Sequence, residues 1–233
     1  MIKKHIPNTI TCCNLICGCI AAYHAFAGRY EIAFAFIIGG AVFDFFDGFA
    51  ARLLKVSSPI GKELDSLADV VTFGVAPASM LFGILSDLHT QTPFVFVNEV
   101  LPFSAFLIAA LSALRLAKFN LDERQTGSFI GLPTPANALF WAALIVGAYD
   151  TLVSASWAWW VLLVGILISC YLLVAELPMF ALKFKHFGWK GNGLKYGFIV
   201  LSAALLIYFG LAGFSAVIVA YILLSVINNS VSN

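Results

Sequence analysis

With 61% apolar and only 11% charged side chains, this 233-residue chain has too little polar surface to cover a water-facing globule, so an ordinary soluble domain is excluded. Its mean hydropathy of +0.96 fits a polytopic membrane protein. The net charge of +1 conceals a lopsided distribution and by itself identifies no partner; no nucleic-acid partner is expected.

Apolar runs long enough to cross about 30 Å of hydrocarbon, roughly 20 residues each, fall near 8-27, 32-54, 64-86, 100-119, 135-153, 156-175, 194-210 and 212-228. The expected fold is all-α: a polytopic membrane helical bundle of about eight transmembrane helices, and six at the fewest. A backbone in lipid must satisfy its own hydrogen bonds, and the alternation of a β-barrel is absent. The first run opens on Pro7-Asn8, a helix start. No small-residue cleavage site follows Met1-Ile-Lys-Lys, so this helix is expected to be retained. Its Cys12, Cys13, Cys17 and Cys19 match no zinc spacing and read as small buried hydrophobes. Trp157, Trp159 and Trp160 form an interfacial anchor at the start of the sixth run. The last two runs are the shortest, either a pair of helices turning at Gly210 to Gly213 or one re-entrant hairpin. No linker divides the chain. A single domain over 1-233 is expected, with a motif-bearing core at 8-153 and less diagnostic C-terminal helices at 156-228.

With the N-terminus cytoplasmic, Lys3, Lys4, Arg52, Lys55, Lys62, Arg115, Lys118, Arg124, Lys183, Lys185, Lys190 and Lys195 all lie on inner flanks, leaving Arg29 alone outside. The positive-inside rule therefore sets the orientation. The same topology puts Asp44, Asp47, Asp65 and Asp69 at the cytoplasmic ends of the second and third runs.

Acids embedded in apolar helices are costly unless they face a cavity, a cation or a partner. At about 100° per residue, Asp44, Asp47, Gly48 and Ala51 share one helix face with Arg52 at its edge. Asp65, Asp69, Ala68 and Thr72 share a face of the next helix, with Gly61 behind them. Four converging carboxylates would repel one another unless cations neutralised them, and oxygen ligands without His or Cys select Mg²⁺, Mn²⁺ or Ca²⁺. Gly48 and Ala51 leave room for a bulky ligand, and Arg52 offers a fork suited to a diphosphate.

The full string is Asp44-x2-Asp47-Gly48-x2-Ala51-Arg52-x8-Gly61-x3-Asp65-x3-Asp69. In spacing and residue type it resembles the signature of the CDP-alcohol phosphatidyltransferases. The resemblance implies Asp44, Asp47 and Asp65 as ligands of one divalent cation and Asp44, Asp65 and Asp69 as ligands of a second, Mg²⁺ or Mn²⁺, with Ca²⁺ able to occupy the same oxygens. It implies Asp69 as general base, and Asn8, Thr11, Gly48, Ala51, Arg52 and Gly61 at the CDP-diacylglycerol site. A homodimer in a prokaryotic cytoplasmic membrane is also implied.

The acceptor is written elsewhere. Ser112-Ala-Leu-Arg115-Leu-Ala-Lys118-Phe-Asn120, followed by Gly127-Ser-Phe129-Ile-Gly131-Leu-Pro133-Thr134-Pro135, resembles the branch of the family that uses L-serine. A serine carboxylate would find Arg115 and Lys118 three residues apart at the inner surface, with Ser112 and Asn120 nearby. The Gly-Leu-Pro segment, broken by two prolines, is expected to fold towards the cleft. The bland alternative for Arg115 and Lys118 is snorkelling to anionic headgroups. Within the family, glycerol 3-phosphate or an inositol phosphate are the other acceptors to weigh. Outside it stands a divalent-cation transporter, against which count the absence of internal repeats and the gathering of the acids at one membrane face.

Overall fold

The computed structural model describes residues 5–88, 99–122, 129–180, 182, 188–189 and 192–232. Of the basic residues used to orient the chain, Lys3, Lys4, Arg124, Lys183, Lys185 and Lys190 lie outside these, as do Gly127 and Ser128.

The helices are α1 (His5–Phe26), α2 (Tyr30–Leu54), α3 (Pro59–Asp69), α4 (Ala76–Asp87), α5 (Phe106–Leu121), α6 (Thr134–Ser154), α7 (Ala158–Val174), α8 (Gly193–Phe209) and α9 (Gly213–Ser232). A π-helical turn, Val70–Val75, joins α3 to α4, so the third expected run is one continuous span interrupted immediately after Asp69. That span also begins earlier than hydropathy alone places it. Ser58 caps the helix by accepting a hydrogen bond from the Gly61 amide (3.0 Å), and Pro59 supplies the preset φ of a first helical residue. Six described stretches are long and apolar enough to cross a membrane, the last of them the α8–α9 pair; α7 is apolar but shorter. Gly210, at φ 58°, ends α8, and the chain passes through one 3₁₀ turn into α9. The last two runs are thus separate helices.

The core of the bundle is built where α1, α2, α4, α5, α6 and α7 meet, around Phe34, Ile37, Phe73, Met80, Ile84, Ile108, Trp141 and Ile166. Trp141 donates its indole N–H to Ser169 Oγ at 2.9 Å, satisfying the one polar atom of a fully buried ring. Trp157 and Trp160 project outward at the start of α7, as anchoring requires.

Helices approach closely beside the acids. A Cβ on Gly18 would lie 2.4 Å from Thr72 Oγ1, and one on Gly40 2.4 Å from Thr72 Cγ2 and 2.9 Å from Asn14 Oδ1. Small residues here let α1, α2 and the π turn come within backbone distance of one another.

A second, smaller cluster joins Leu132, Met179, Phe198 and Tyr221 at one end of the bundle. It contains a two-residue antiparallel pairing, β1 (Phe129–Ile130) with β2 (Pro178–Met179), in the register Phe129 to Met179 and Ile130 to Pro178.

Candidate active site

The aspartates converge because α2 and α3 both pack against α1 at the same end of the bundle. Carboxylate oxygens of Asp44, Asp47 and Asp65 all lie within 4.8 Å of one another. Asp69, one turn beyond Asp65, completes the group through carboxylate contact with Asp44, which also touches Asp65. At an effective dielectric of about 20, two full charges 4.8 Å apart repel by roughly 3 kcal/mol. Four such groups therefore need positive charge among them. Asp65 Oδ1 is buried without a hydrogen-bond partner, and the donor set is hard oxygen throughout. These residues fit divalent cations.

Two neighbours on α1 hold the acids in place. The Thr11 hydroxyl donates to Asp47 Oδ2 at 2.6 Å, and Asn14 Nδ2 donates to Asp69 Oδ1 at 3.2 Å. Thr72 Oγ1 in turn donates to the Asn14 carbonyl at 3.0 Å, tying α1 to the π turn. Thr11 was expected at the nucleotide end; its bond to Asp47 gives it a positioning role as well. Asn14 was not singled out from sequence, although the recurrence Asn8, Thr11, Asn14 puts three polar groups on one face of α1 and was a readable signal.

On the Asp47 and Asp65 side lies a cavity of about 220 Å³ lined by Pro7, Asn8, Thr11, Gly48, Ala51, Ser57, Ser58, Gly61 and Lys62. The structure thus brings together Asn8, Thr11, Gly48, Ala51 and Gly61, five residues from three elements. Arg52 is exposed and does not line the cavity; its guanidinium folds back over Gly48, where a Cβ would meet Nη1 at 3.4 Å. It stands at the rim.

A second cavity, about 410 Å³, is lined by Arg115, Lys118, Leu121, Asp122, Ile130, Leu173 and Glu176. Arg115 is buried (7% exposed), interacts electrostatically with Asp69, and donates from Nη1 to Thr134 Oγ1 at 3.4 Å. Its Nε has no partner, and its guanidinium lies 5.2 Å from the Phe119 ring centroid. A snorkelling arginine would extend into the headgroups; this one points inward. Lys118 is exposed at the mouth.

Ser112 and Asn120 do not join Arg115 and Lys118 at the cavity wall. Ser112 is fully buried one turn deeper, its Cβ against Gly74 of the π turn. Asn120 braces α5 against α3, donating to Ser66 Oγ at 2.8 Å and accepting from Lys62 Nζ at 2.8 Å through its carbonyl. The Ser112 hydroxyl is buried without a hydrogen-bond partner, whereas Asn120 ties together two of the helices that frame the site.

The Gly131-Leu-Pro segment does fold inward. Gly131, at φ +76°, has Leu172, Leu173 and Ala175 carbonyl oxygens within 3.2 Å of where a Cβ would sit, so only glycine fits over the C-terminal end of α7. Its amide donates to the Leu177 carbonyl (2.9 Å) and that of Leu132 to the Leu172 carbonyl (2.8 Å), which delivers Thr134 to Arg115.

Two membrane-embedded helices that present four acids beside a cleft match a known family. The model described as CDP-alcohol phosphatidyltransferase aligns with residues 4–171. The chain belongs to the CDP-alcohol phosphatidyltransferase family. Relatives named CDP-diacylglycerol--serine O-phosphatidyltransferase include one from Bacillus subtilis (strain 168), 36% identical over 184 residues, covering 79% of this chain and 92% of the relative. One from Mycobacterium leprae is 32% identical over 183 residues, 75% of this chain and 57% of the relative. One from Saccharomyces cerevisiae is 44% identical over 121 residues, 48% of this chain and 39% of the relative. The family match takes in the whole acid cluster, both of its polar neighbours on α1, and Arg115. The phosphatidyltransferase is an enzyme, and its fold is the all-α polytopic membrane bundle described above.

Proposed function

We propose that the protein transfers the phosphatidyl group of CDP-diacylglycerol to L-serine, giving phosphatidylserine and CMP, from a site open to the cytoplasm. The observation that carries this reading is what adjoins the acids: the cavity bearing Asn8, Thr11, Gly48 and Gly61 reaches Asp47 and Asp65, and the buried Arg115, which lines a second cavity with Lys118, interacts with Asp69. The serine named in the relatives and the inward-pointing Arg115 support the acceptor. The charge asymmetry of the loops supports the cytoplasmic face. The family resemblance supports a homodimer.

Asp44, Asp47 and Asp65 would hold one divalent cation, and Asp44, Asp65 and Asp69 a second, Mg²⁺ or Mn²⁺. When bound, such ions offset the charge on the diphosphate and on the attacking and leaving oxygens. The chain's own groups do the rest. Asn8 and Lys62 line the donor cavity, with Arg52 at its rim to meet the diphosphate. Arg115 and Lys118 hold the serine carboxylate. Asp69, oriented by Asn14, accepts the proton of the serine hydroxyl as that oxygen attacks the phosphorus bearing diacylglycerol; the bond to CMP breaks and CMP leaves.

The test is CMP release by purified protein with Mg²⁺ or Mn²⁺ and a panel of acceptors. Serine is expected to support release, and glycerol 3-phosphate or an inositol phosphate to fail. Release with a phosphorylated acceptor but not serine would overturn the acceptor; none with any acceptor would overturn the reaction.

A further inference from the structure

The family match ends at residue 171, so the α8–α9 hairpin lies wholly beyond it. Hydrogen bonds and a ring contact nevertheless connect this hairpin to the β2 segment. Tyr221, on α9, is 8% exposed and donates its hydroxyl to the Phe180 carbonyl at 2.9 Å. Its ring packs edge-on against Phe180 (4.9 Å between centroids) and lies beside Phe198 (5.9 Å). One α-helical stretch further on, Asn229 Nδ2 donates to the Pro178 carbonyl. Both acceptor carbonyls belong to or adjoin β2, and β2 pairs with β1, which leads through Gly131 to Thr134. Thr134 is the side chain that receives Arg115, and Tyr221 itself lies near Arg115.

We propose that Tyr221 is a positioning residue of the acceptor subsite, holding β2 against β1 so that Thr134 keeps the Arg115 guanidinium at the cavity wall. The inference rests on the assignment of Arg115 to the serine carboxylate. Burial makes the arrangement consequential: Arg115 Nε has no partner of its own, so the Thr134 contact and the surrounding groups alone fix where the fork points. The other end of the hairpin is tied down independently, because Ser215 Oγ donates to the Phe140 carbonyl at 2.8 Å. Loss of the Tyr221 hydroxyl therefore loosens the clamp without releasing the helices.

The experiment uses the full chain in lipid nanodiscs with Mn²⁺, and measures kcat and both KM values for wild type, Tyr221→Phe, Tyr221→Ala, Arg115→Ala and the double variant R115A/Y221F. Tyr221→Phe is expected to raise the KM for serine about fivefold, the worth of one hydrogen bond. Its kcat and its KM for CDP-diacylglycerol should stay within about twofold, as a role confined to the acceptor requires. On the Arg115→Ala background the same change should add nothing further, because it acts through Arg115. A serine KM unmoved by both Tyr221 variants, while Arg115→Ala raises it, overturns the clamp and leaves the acceptor assignment standing. Additive effects in the double variant overturn it too. If Arg115→Ala itself spares the serine KM, the acceptor assignment falls and the clamp with it.

Discussion

Gly40→Ala tests whether helix proximity sets the geometry of the aspartates. A Cβ at residue 40 would stand 2.4 Å from Thr72 Cγ2 and 2.9 Å from Asn14 Oδ1, whereas ordinary contact begins at 3.4 Å. Neither neighbour can give way cheaply. Thr72 is fully buried and its hydroxyl is bonded to the Asn14 carbonyl, and Asn14 is itself fully buried and holds Asp69. Relief therefore requires α2 to move by about 1 Å relative to the π turn, an overpacking cost of about 1–3 kcal/mol. Gly40 is one turn from Asp44 and Thr72 is three residues from Asp69, so the displacement falls directly on the spacing of those two carboxylates. A misplacement of about 1 Å can cost on the order of 10² in rate. We expect kcat for CMP release, at saturating substrates and Mn²⁺, to fall by about that factor, with the folded protein still recovered from detergent. Adding Thr72→Ser, which deletes the clashing methyl but keeps the hydroxyl, should restore most of it. A Gly40→Ala enzyme within twofold of wild type, or a double variant no better than the single, would refute the reasoning.

Activity should vanish with chelator and return with Mg²⁺ or Mn²⁺; Asp44→Asn, Asp47→Asn and Asp65→Asn should each weaken metal dependence and rate, and near-normal turnover in any two would remove them as ligands. Asp69→Asn should lower kcat by about 10² or more while the KM for CDP-diacylglycerol barely changes; loss of donor binding instead would make Asp69 a ligand only. Thr11→Val removes the 2.6 Å bond to Asp47 and should raise the Mn²⁺ concentration for half-maximal rate about tenfold, as expected for a hydrogen bond to a charged group; an unchanged metal titration would deny it a positioning role. Arg115→Ala should raise the KM for serine far more than that for CDP-diacylglycerol, and equal effects on both would point to folding.

Much of this was legible along the chain because local periodicity carries it. Every span shows as an apolar run, and the spacing of Asp44, Asp47, Asp65 and Asp69 puts each pair on one helix face before any tertiary contact exists. The start of α3 was misplaced because capping by Ser58 and Pro59 is a turn-level signal that hydropathy averages away. Nor does periodicity foresee the π turn after Asp69, which packs chiefly against α1 and α5.

Composition and spacings shorter than two helical turns were enough to read the membrane class, the pair of acids on each of two helix faces and the small residues beside them. Which polar groups come to lie together near the acids follows from the packing of the helices. Ser112 and Asn120 have the same standing as Arg115 and Lys118 in one dimension, yet helix packing turns Ser112 against Gly74 and commits Asn120 to Ser66 and Lys62. Asn14 reaches Asp69 across 55 positions, and Tyr221 reaches Phe180 across 41. Such partners are chosen by how whole helices cross, and helix crossing is governed by the summed burial of side chains far apart in the chain.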